Sequence, residues 1–85
     1  MTEVTMYSTR TCTYCRSAEQ LLGRKSNVQL KKILVDADPA QLKQMIELTG
    51  QRTVPQIFVG TTHVGGFTDL LELDNAGKLD TLLAG

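Results

Sequence analysis

Several residue types are scarce in this chain of 85 residues, and each scarcity argues against a class of protein. Tryptophan is absent, and no apolar run approaches the ~20 residues of a membrane-spanning helix. The first residues lack the basic and apolar segments of a secretory signal. Nine basic residues balance nine acidic ones, so no net charge attracts the chain to nucleic acid or to a membrane surface. We therefore expect a cytoplasmic protein with no nucleic-acid or membrane partner.

Cysteine is equally scarce, since the chain holds only Cys12 and Cys15. The pair follows a short β-branched segment and precedes apolar residues at helical spacing. A Cys-x-x-Cys sequence at such a junction is typical of reversible dithiol chemistry, because residues i and i+3 share one helix face. Zinc would need two more ligands and the sequence offers only His63 besides, so no metal is predicted. A buried structural disulfide is the second interpretation of the pair.

Three effects favour the thiolate form of Cys12. The residue would lie at a helix N-terminus, where unpaired backbone amides and the helix dipole both stabilise negative charge. Arg10 and Arg16 add flanking positive charge. Cys15, one turn further along, is expected to be less exposed. It should therefore resolve a mixed disulfide rather than start one.

The remaining pattern predicts one α/β domain over residues 1–85, with a four-stranded mixed sheet flanked by three helices in the order β-α-β-α-β-β-α. Hydrophobic residues form 41% of the chain, enough for a small core. The first crossover predicts parallel strands and the late hairpin antiparallel ones. The predicted elements are a strand at 4–7, a helix at 15–22, a strand at 28–35, a helix at 39–49, strands at 56–59 and 62–64, and a helix from about 67.

Local signals support the helix boundaries. Gly23 is the predicted stop of the first helix. Asp38 is the predicted N-cap of the second helix, with Gln41 completing a capping box and Gly50 ending the helix. Residues 79–83 are expected to form a short amphipathic turn that packs on the body. Tyr7 is predicted to pack in the core, and His63 to lie on the surface.

Three separated motifs occur in order, reading CTYC at residues 12–15, TVPQIF at 53–58 and GGFTDL at 65–70. Their order and spacing resemble the glutaredoxin family, in particular its small bacterial dithiol members, over nearly the whole chain from Val4 to Leu83. The resemblance implies a thioredoxin fold in which the motifs converge around the first cysteine. It also implies a monomeric, glutathione-dependent thiol–disulfide oxidoreductase with no tightly bound cofactor and with glutathione as cosubstrate.

The resemblance also implies roles for individual residues. Cys12 would be the nucleophile and Cys15 the resolving thiol. A cis peptide bond before Pro55 would let the Val54 backbone pair with an extended peptide as a β-strand does. Asp69 would bind the γ-glutamyl ammonium of glutathione; apart from the resemblance, the positive charge of Arg10 can attract the glycyl carboxylate. The implied glutathione-binding residues are Arg10, Tyr14, Thr53, Val54, Pro55, Gly66, Phe67, Thr68 and Asp69.

Two positions depart from the family pattern. Thr13 stands where the commonest motif has proline, which removes a rigid turn and adds an amide donor near Cys12. The helix position that often contacts the glycyl carboxylate falls on Leu42, so this contact is left open among the neighbouring Lys43 and Gln44, and Arg52.

Two other functions remain open. A redoxin of the same fold could take electrons from thioredoxin reductase to ribonucleotide reductase, although Tyr14, Thr68 and Asp69 favour a glutathione site. Some glutaredoxins without the motif proline carry a [2Fe–2S] cluster between two chains, so Thr13 keeps a cluster carrier open. A colourless monomer after anaerobic purification would exclude the carrier. The expected protein substrates are disulfide-containing or glutathionylated proteins, ribonucleotide reductase among them.

Overall fold

The computed structural model describes residues 2–84 and contains four strands and four helices. The predicted domain over 1–85 also includes the two terminal residues, which lie outside the described range. The elements are β1 (Thr2–Ser8), α1 (Thr13–Gly23), β2 (Val28–Leu34), α2 (Pro39–Thr49), β3 (Gln56–Val59), β4 (Thr62–Gly65), α3 (Phe67–Asn75) and α4 (Lys78–Ala84).

The four strands form one sheet in the order β2-β1-β3-β4. Strand β1 pairs in parallel with β2 and antiparallel with β3, and β3 pairs antiparallel with β4. The predicted four-stranded mixed sheet is therefore confirmed, and β1 lies at its centre. The end of β1 leads directly into the loop that carries the first cysteine.

Alternation along the strands divides the core between the two faces of the sheet. On one face, Met6 and Ile57 are buried with side chains of α1, α3 and α4. On the other face, Tyr7 and Phe58 pack against α2, where Met45 is fully buried. The predicted core position of Tyr7 is confirmed. The sheet is thus covered on both faces, and the cysteine pair lies on the side of α1.

Helix α1 begins at Thr13, two residues earlier than predicted. The start moves because Cys12 is itself the N-cap: its sulfur accepts a hydrogen bond from the Cys15 amide at 3.1 Å. Gly23 is the last helical residue rather than a residue beyond the end, and Arg24 follows in a right-handed conformation.

Helix α2 has the predicted N-cap, with Asp38 Oδ1 accepting from the Ala40 amide at 3.0 Å. Gly50 ends the helix in the left-handed region at φ 70°, as predicted. The predicted capping box with Gln41 is wrong. Gln41 Oε1 is buried without a hydrogen-bond partner within residues 2–84, so it does not reach back to the N-cap.

The predicted C-terminal turn is a full helix, α4, and this makes the observed helix count four rather than three. Its inward residues Leu79 and Leu83 are buried in the larger core. The Leu83 carbonyl accepts hydrogen bonds from the Thr2 hydroxyl and from Asn27 Nδ2. These contacts join both ends of the chain and give the short helix its tertiary support.

No helix within residues 2–84 combines the length and the apolar character needed to cross a membrane.

Candidate active site

Cys12 lies where β1 and its loop meet helix α1, and its thiol is half-buried. Its sulfur accepts from the Cys15 amide at 3.1 Å and lies 3.8 Å from the Val54 carbonyl oxygen, to which the thiol donates. A sulfur at the N-terminus of a helix receives N–H groups and the positive end of the helix dipole, both of which stabilise a thiolate. The predicted placement of Cys12 at a helix N-terminus is confirmed.

Cys15 is a free thiol like Cys12, but only 3% of it is exposed. Burial, followed by the hydrogen bond with Cys12, raises the pKa of the Cys15 thiol to about 12. Cys15 therefore stays protonated near neutral pH, while Cys12 is the thiol that reaches the surface. This difference in exposure is the one predicted from the spacing of the two cysteines.

The segment before β3 lies beside Cys12. The Val54–Pro55 peptide bond is cis, as the resemblance implied. Val54 is half-buried and Pro55 buried, and both line a cavity of about 220 Å³. Val54 thus connects the Cys12 thiol with the cavity, because its carbonyl accepts from Cys12 and the residue itself lines the cavity.

The N-terminus of α3 forms the opposite wall. Asp69 Oδ2 accepts from the Gly66 amide at 3.0 Å, which supports the first turn of the helix. Gly65 has φ +114°, a conformation that L residues rarely adopt. A Cβ on Gly65 would lie 2.5 Å from Asp69 Oδ2, so the bare glycine also leaves room for the carboxylate.

Tyr14 provides an aromatic wall. Its side chain is 65% exposed and stacks on Phe67, with ring centroids 6.3 Å apart and planes 27° apart. A tyrosine this exposed contributes little to the core, so its position beside the cysteines favours contact with a ligand. The complete lining of the cavity is Tyr14, Gln51, Thr53, Val54, Pro55, Gln56, Gly66, Phe67, Thr68 and Asp69.

All but one of the residues predicted to bind glutathione line this cavity. The exception is Arg10, whose Nε lies 3.1 Å from Asp36 Oδ2. The same carboxylate oxygen accepts from the Arg10 backbone amide at 3.2 Å. These two bonds lower the pKa of the Asp36 carboxyl, and Arg10 does not line the cavity.

The structure also places the residues left open for the glycyl contact. Leu42 packs against the smaller core of Tyr7 and Met45 and has an apolar side chain. Lys43, Gln44 and Arg52 are exposed and do not line the cavity.

Sequence reasoning missed two lining residues, Gln51 and Gln56. Gln56 is 1% exposed, and its amide is hydrogen-bonded on both sides. The available signal was that Gln56, a polar residue, occupies the first position of the otherwise apolar strand β3. His63 is exposed, as predicted, but it also bonds to Gln56 and stacks on Phe58.

Within residues 2–84, no group of three or more His, Cys, Asp or Glu side chains is arranged to hold a metal ion.

Comparisons with known proteins identify the relatives of this chain. A family model described as glutaredoxin matches residues 4–64. The glutaredoxin of Neisseria meningitidis is 51% identical over 83 residues, covering 98% of both chains. Glutaredoxin 3 of Escherichia coli is 42% identical over 83 residues, covering 98% of this chain and 99% of that protein. The buckwheat glutaredoxin–glutathione complex superposes with a TM-score of 0.87 at 29% identity, covering 98% of this chain and 77% of that chain.

These similarities establish the thioredoxin fold, and they extend over nearly the whole chain. The two cysteines lie together at the start of α1, an arrangement consistent with a thiol–disulfide oxidoreductase. On its sequence, its fold and its cysteine pair, this chain belongs to the glutaredoxin family.

Proposed function

We propose that this protein is a cytoplasmic, glutathione-dependent thiol–disulfide oxidoreductase that acts on glutathione mixed disulfides and on protein disulfides. The observation that carries the proposal is the position of Val54. Its carbonyl accepts from the Cys12 thiol, and the same residue lines the cavity, so a peptide held in the cavity brings its sulfur to Cys12.

The charges of the cavity match one end of glutathione. The γ-glutamyl group carries an ammonium and a carboxylate. The Phe67 and Thr68 amides at the start of α3 are suited to bind the carboxylate, and the Asp69 carboxylate to bind the ammonium. Asp69 Oδ2 is used by Gly66, but Oδ1 accepts no hydrogen bond from any residue within 2–84. The known glutathione complex of the buckwheat relative supports the same ligand.

The first step is attack by the Cys12 thiolate on the glutathionyl sulfur of a mixed disulfide. A Cys12–glutathione disulfide forms, the original disulfide breaks, and the substrate leaves as a thiolate that takes a proton from water. A second glutathione thiolate then attacks the bound glutathionyl sulfur. Oxidised glutathione leaves, and Cys12 is regenerated without any participation of Cys15.

A protein disulfide follows a different second step. After Cys12 attacks, the protein remains joined to Cys12 through a mixed disulfide. Cys15 loses its proton and attacks the Cys12 sulfur, which releases the protein as a dithiol and forms the Cys12–Cys15 disulfide. Two glutathione molecules then reduce this disulfide. The attack is intramolecular, so the high effective concentration of Cys15 compensates for its raised pKa.

The test compares wild type, Cys12→Ser and Cys15→Ser in two assays coupled to glutathione reductase. One substrate is a glutathionylated peptide and the other a protein with an intramolecular disulfide. Cys12→Ser should lose both activities, because a serine hydroxyl stays protonated. Cys15→Ser should keep most of the first activity and lose most of the second.

A parallel assay with thioredoxin reductase in place of glutathione and its reductase tests the other electron donor. Efficient turnover there, with none from glutathione, would contradict the proposal. Equal loss of both activities in a folded Cys15→Ser variant would contradict the division of labour between the thiols.

A further inference from the structure

The buried Gln56 amide has an orientation that its surroundings dictate. Its Nε2 lies 3.0 Å from the Thr53 carbonyl oxygen and 3.2 Å from Thr53 Oγ1. A backbone carbonyl can only accept, so the Gln56 atom that faces it must be the nitrogen. Gln56 Oε1 therefore points the other way, where it lies 2.8 Å from His63 Nε2. Since that oxygen can only accept, His63 Nε2 carries a hydrogen and donates it.

The orientation of Gln56 in turn sets that of Gln51. Gln56 Nε2 also donates to Gln51 Oε1 at 3.1 Å, so the oxygen of the Gln51 amide faces inward. The Gln51 Nε2 group is then the outer end of this amide, and it donates no hydrogen bond to any residue within 2–84. His63, Gln56 and Gln51 thus form a chain of hydrogen bonds that runs from the β4 surface to the cavity.

The cavity lining explains what such a donor could bind. Its residues come from Tyr14 and from two segments, 51–56 and 66–69, and they include no lysine or arginine. The 66–69 segment holds the amides and the Asp69 carboxylate that suit the γ-glutamyl group. In the 51–56 segment, the N–H groups of Gln56 are already used by Gln51 and Thr53. Gln51 is the residue there whose side-chain N–H groups remain open to a ligand.

We propose that Gln51 is a specificity-determining residue whose side-chain amide donates to the glycyl carboxylate of glutathione, and that His63 and Gln56 are positioning residues that hold this amide in place. The inference rests on the proposed function. Under the proposed function the γ-glutamyl group binds at the start of α3, so the glycyl carboxylate, at the other end of an extended tripeptide, would lie at the 51–56 segment. Arg10, predicted from its charge to attract this carboxylate, pairs with Asp36 and does not line the cavity.

Two substrates isolate the glycyl contact. One is a peptide in mixed disulfide with glutathione, and the other is the same peptide with glutathione whose glycyl carboxylate is converted to an amide. Both keep the γ-glutamyl group and the reacting disulfide. Turnover is measured with free glutathione held at one fixed concentration, and KM and kcat are determined for each mixed disulfide.

Two Gln51 variants separate ligand binding from structural support. Gln51→Glu keeps an oxygen that accepts from Gln56 but presents a negative charge to the carboxylate. Gln51→Met removes both the oxygen that accepts from Gln56 and the N–H group that would donate to the carboxylate. Both variants should raise KM for the carboxylate substrate about five- to tenfold, with kcat little changed, as expected for one lost charge-assisted hydrogen bond. For the amide substrate, KM should stay within about twofold of the wild-type value.

Two His63 variants test the positioning role. His63→Phe keeps a ring that stacks on Phe58 but cannot donate to Gln56, whereas His63→Gln keeps an N–H donor. His63→Phe should raise KM for the carboxylate substrate, and His63→Gln should restore most of the loss. In a Gln51→Met background, His63→Phe should have no further effect on KM, because it acts through the amide that is already absent.

The outcomes distinguish this inference from the proposed function. If the wild-type protein turns over neither mixed disulfide, the proposed function fails and the inference fails with it. If the wild type is active and Gln51→Glu matches it on both substrates, Gln51 only supports the fold locally and the inference alone is overturned. If His63→Phe has the wild-type KM, or adds its effect in full to Gln51→Met, His63 does not position Gln51.

Discussion

Asp69 Oδ2 lies 3.0 Å from the backbone nitrogen of Gly66, so one carboxylate both caps helix α3 and lines the cavity. Replacing Asp69 therefore changes two properties, the stability of the helix and the charge offered to a ligand. The two effects are separable because asparagine keeps an oxygen that can accept from Gly66 but carries no charge.

We expect Asp69→Asn to unfold at nearly the wild-type urea concentration and to raise KM for a glutathione mixed disulfide, because the γ-glutamyl ammonium loses its counter-charge. Asp69→Ala should raise KM to a similar degree and also lower the free energy of unfolding by about 1 kcal/mol. Urea denaturation and steady-state kinetics on both variants give the comparison. A wild-type KM in Asp69→Asn would show that the carboxylate acts on the helix alone.

Gly65 and Gly66 are adjacent but should respond differently to alanine. At Gly65 the φ of +114° is strained for alanine, and the new Cβ would lie 2.5 Å from Asp69 Oδ2. Gly65→Ala should therefore cost about 2 kcal/mol of stability. At Gly66 the φ is −87°, and the Cβ would lie 3.6 Å from the Pro55 carbonyl oxygen, an ordinary contact.

Gly66→Ala should therefore cost only about 0.5 kcal/mol, yet its methyl group would enter the cavity between Pro55 and Asp69 and raise KM for glutathione substrates. Thermal unfolding and kinetics of the two variants provide the measurement, and each variant is the control for the other. If Gly66→Ala bound substrate normally, no ligand group would pass close to this glycine.

The raised pKa of Cys15 predicts an unusual pH dependence of alkylation. In a Cys12→Ser variant, burial, the largest cause of the raised pKa, remains, so the rate of reaction with iodoacetamide should keep rising above pH ~9 as the thiolate fraction increases. An ordinary thiol with a pKa of about 8.5 levels off above pH ~9. The same variant in concentrated urea should show the ordinary profile, and a plateau near pH 9 in the folded protein would contradict a buried, protonated Cys15.

The raised pKa of Cys15 also affects the stability of the protein at high pH. Burial raises the folded pKa of Cys15 above its unfolded value, so between about pH 9 and 12 the unfolded chain loses a proton that the folded chain retains. The free energy of unfolding should therefore decrease as the pH rises through this range. Urea titrations at pH 8 and pH 10 should show a smaller decrease in the free energy of unfolding for Cys15→Ala than for the wild type.

The lowered pKa of the Asp36 carboxyl predicts that stability is lost as the pH falls. Hydrogen bonds from Arg10 lower the folded pKa of its carboxyl, so its contribution to stability is complete above the unfolded pKa of about 3.9. The contribution is lost as the pH falls through the lower folded value. Asp36→Asn should therefore be less stable than wild type at pH 6, and the difference should shrink below pH ~4. In an Arg10→Gln background, Asp36→Asn should have little effect at either pH.

The cysteine chemistry and most element boundaries could be predicted from the sequence because their causes are local. The spacing of Cys12 and Cys15 sets both on one face of a helix. The signals of α2 lie within the helix itself, since Asp38 caps its start and Gly50 adopts a left-handed conformation at its end. The three motifs also identified the family, because their residues and spacing can be read without coordinates.

Tertiary structure decided what depends on contacts between distant segments. Helix α4 has weak local signals and forms because Leu79 and Leu83 fill the core beside β1 and α1. Arg10 pairs with Asp36, which is 26 residues away in the chain, and does not line the cavity. The cavity itself is lined by Tyr14 and by two later segments, 51–56 and 66–69. No short window of sequence contains both partners of such contacts, so only the folded chain brings them together.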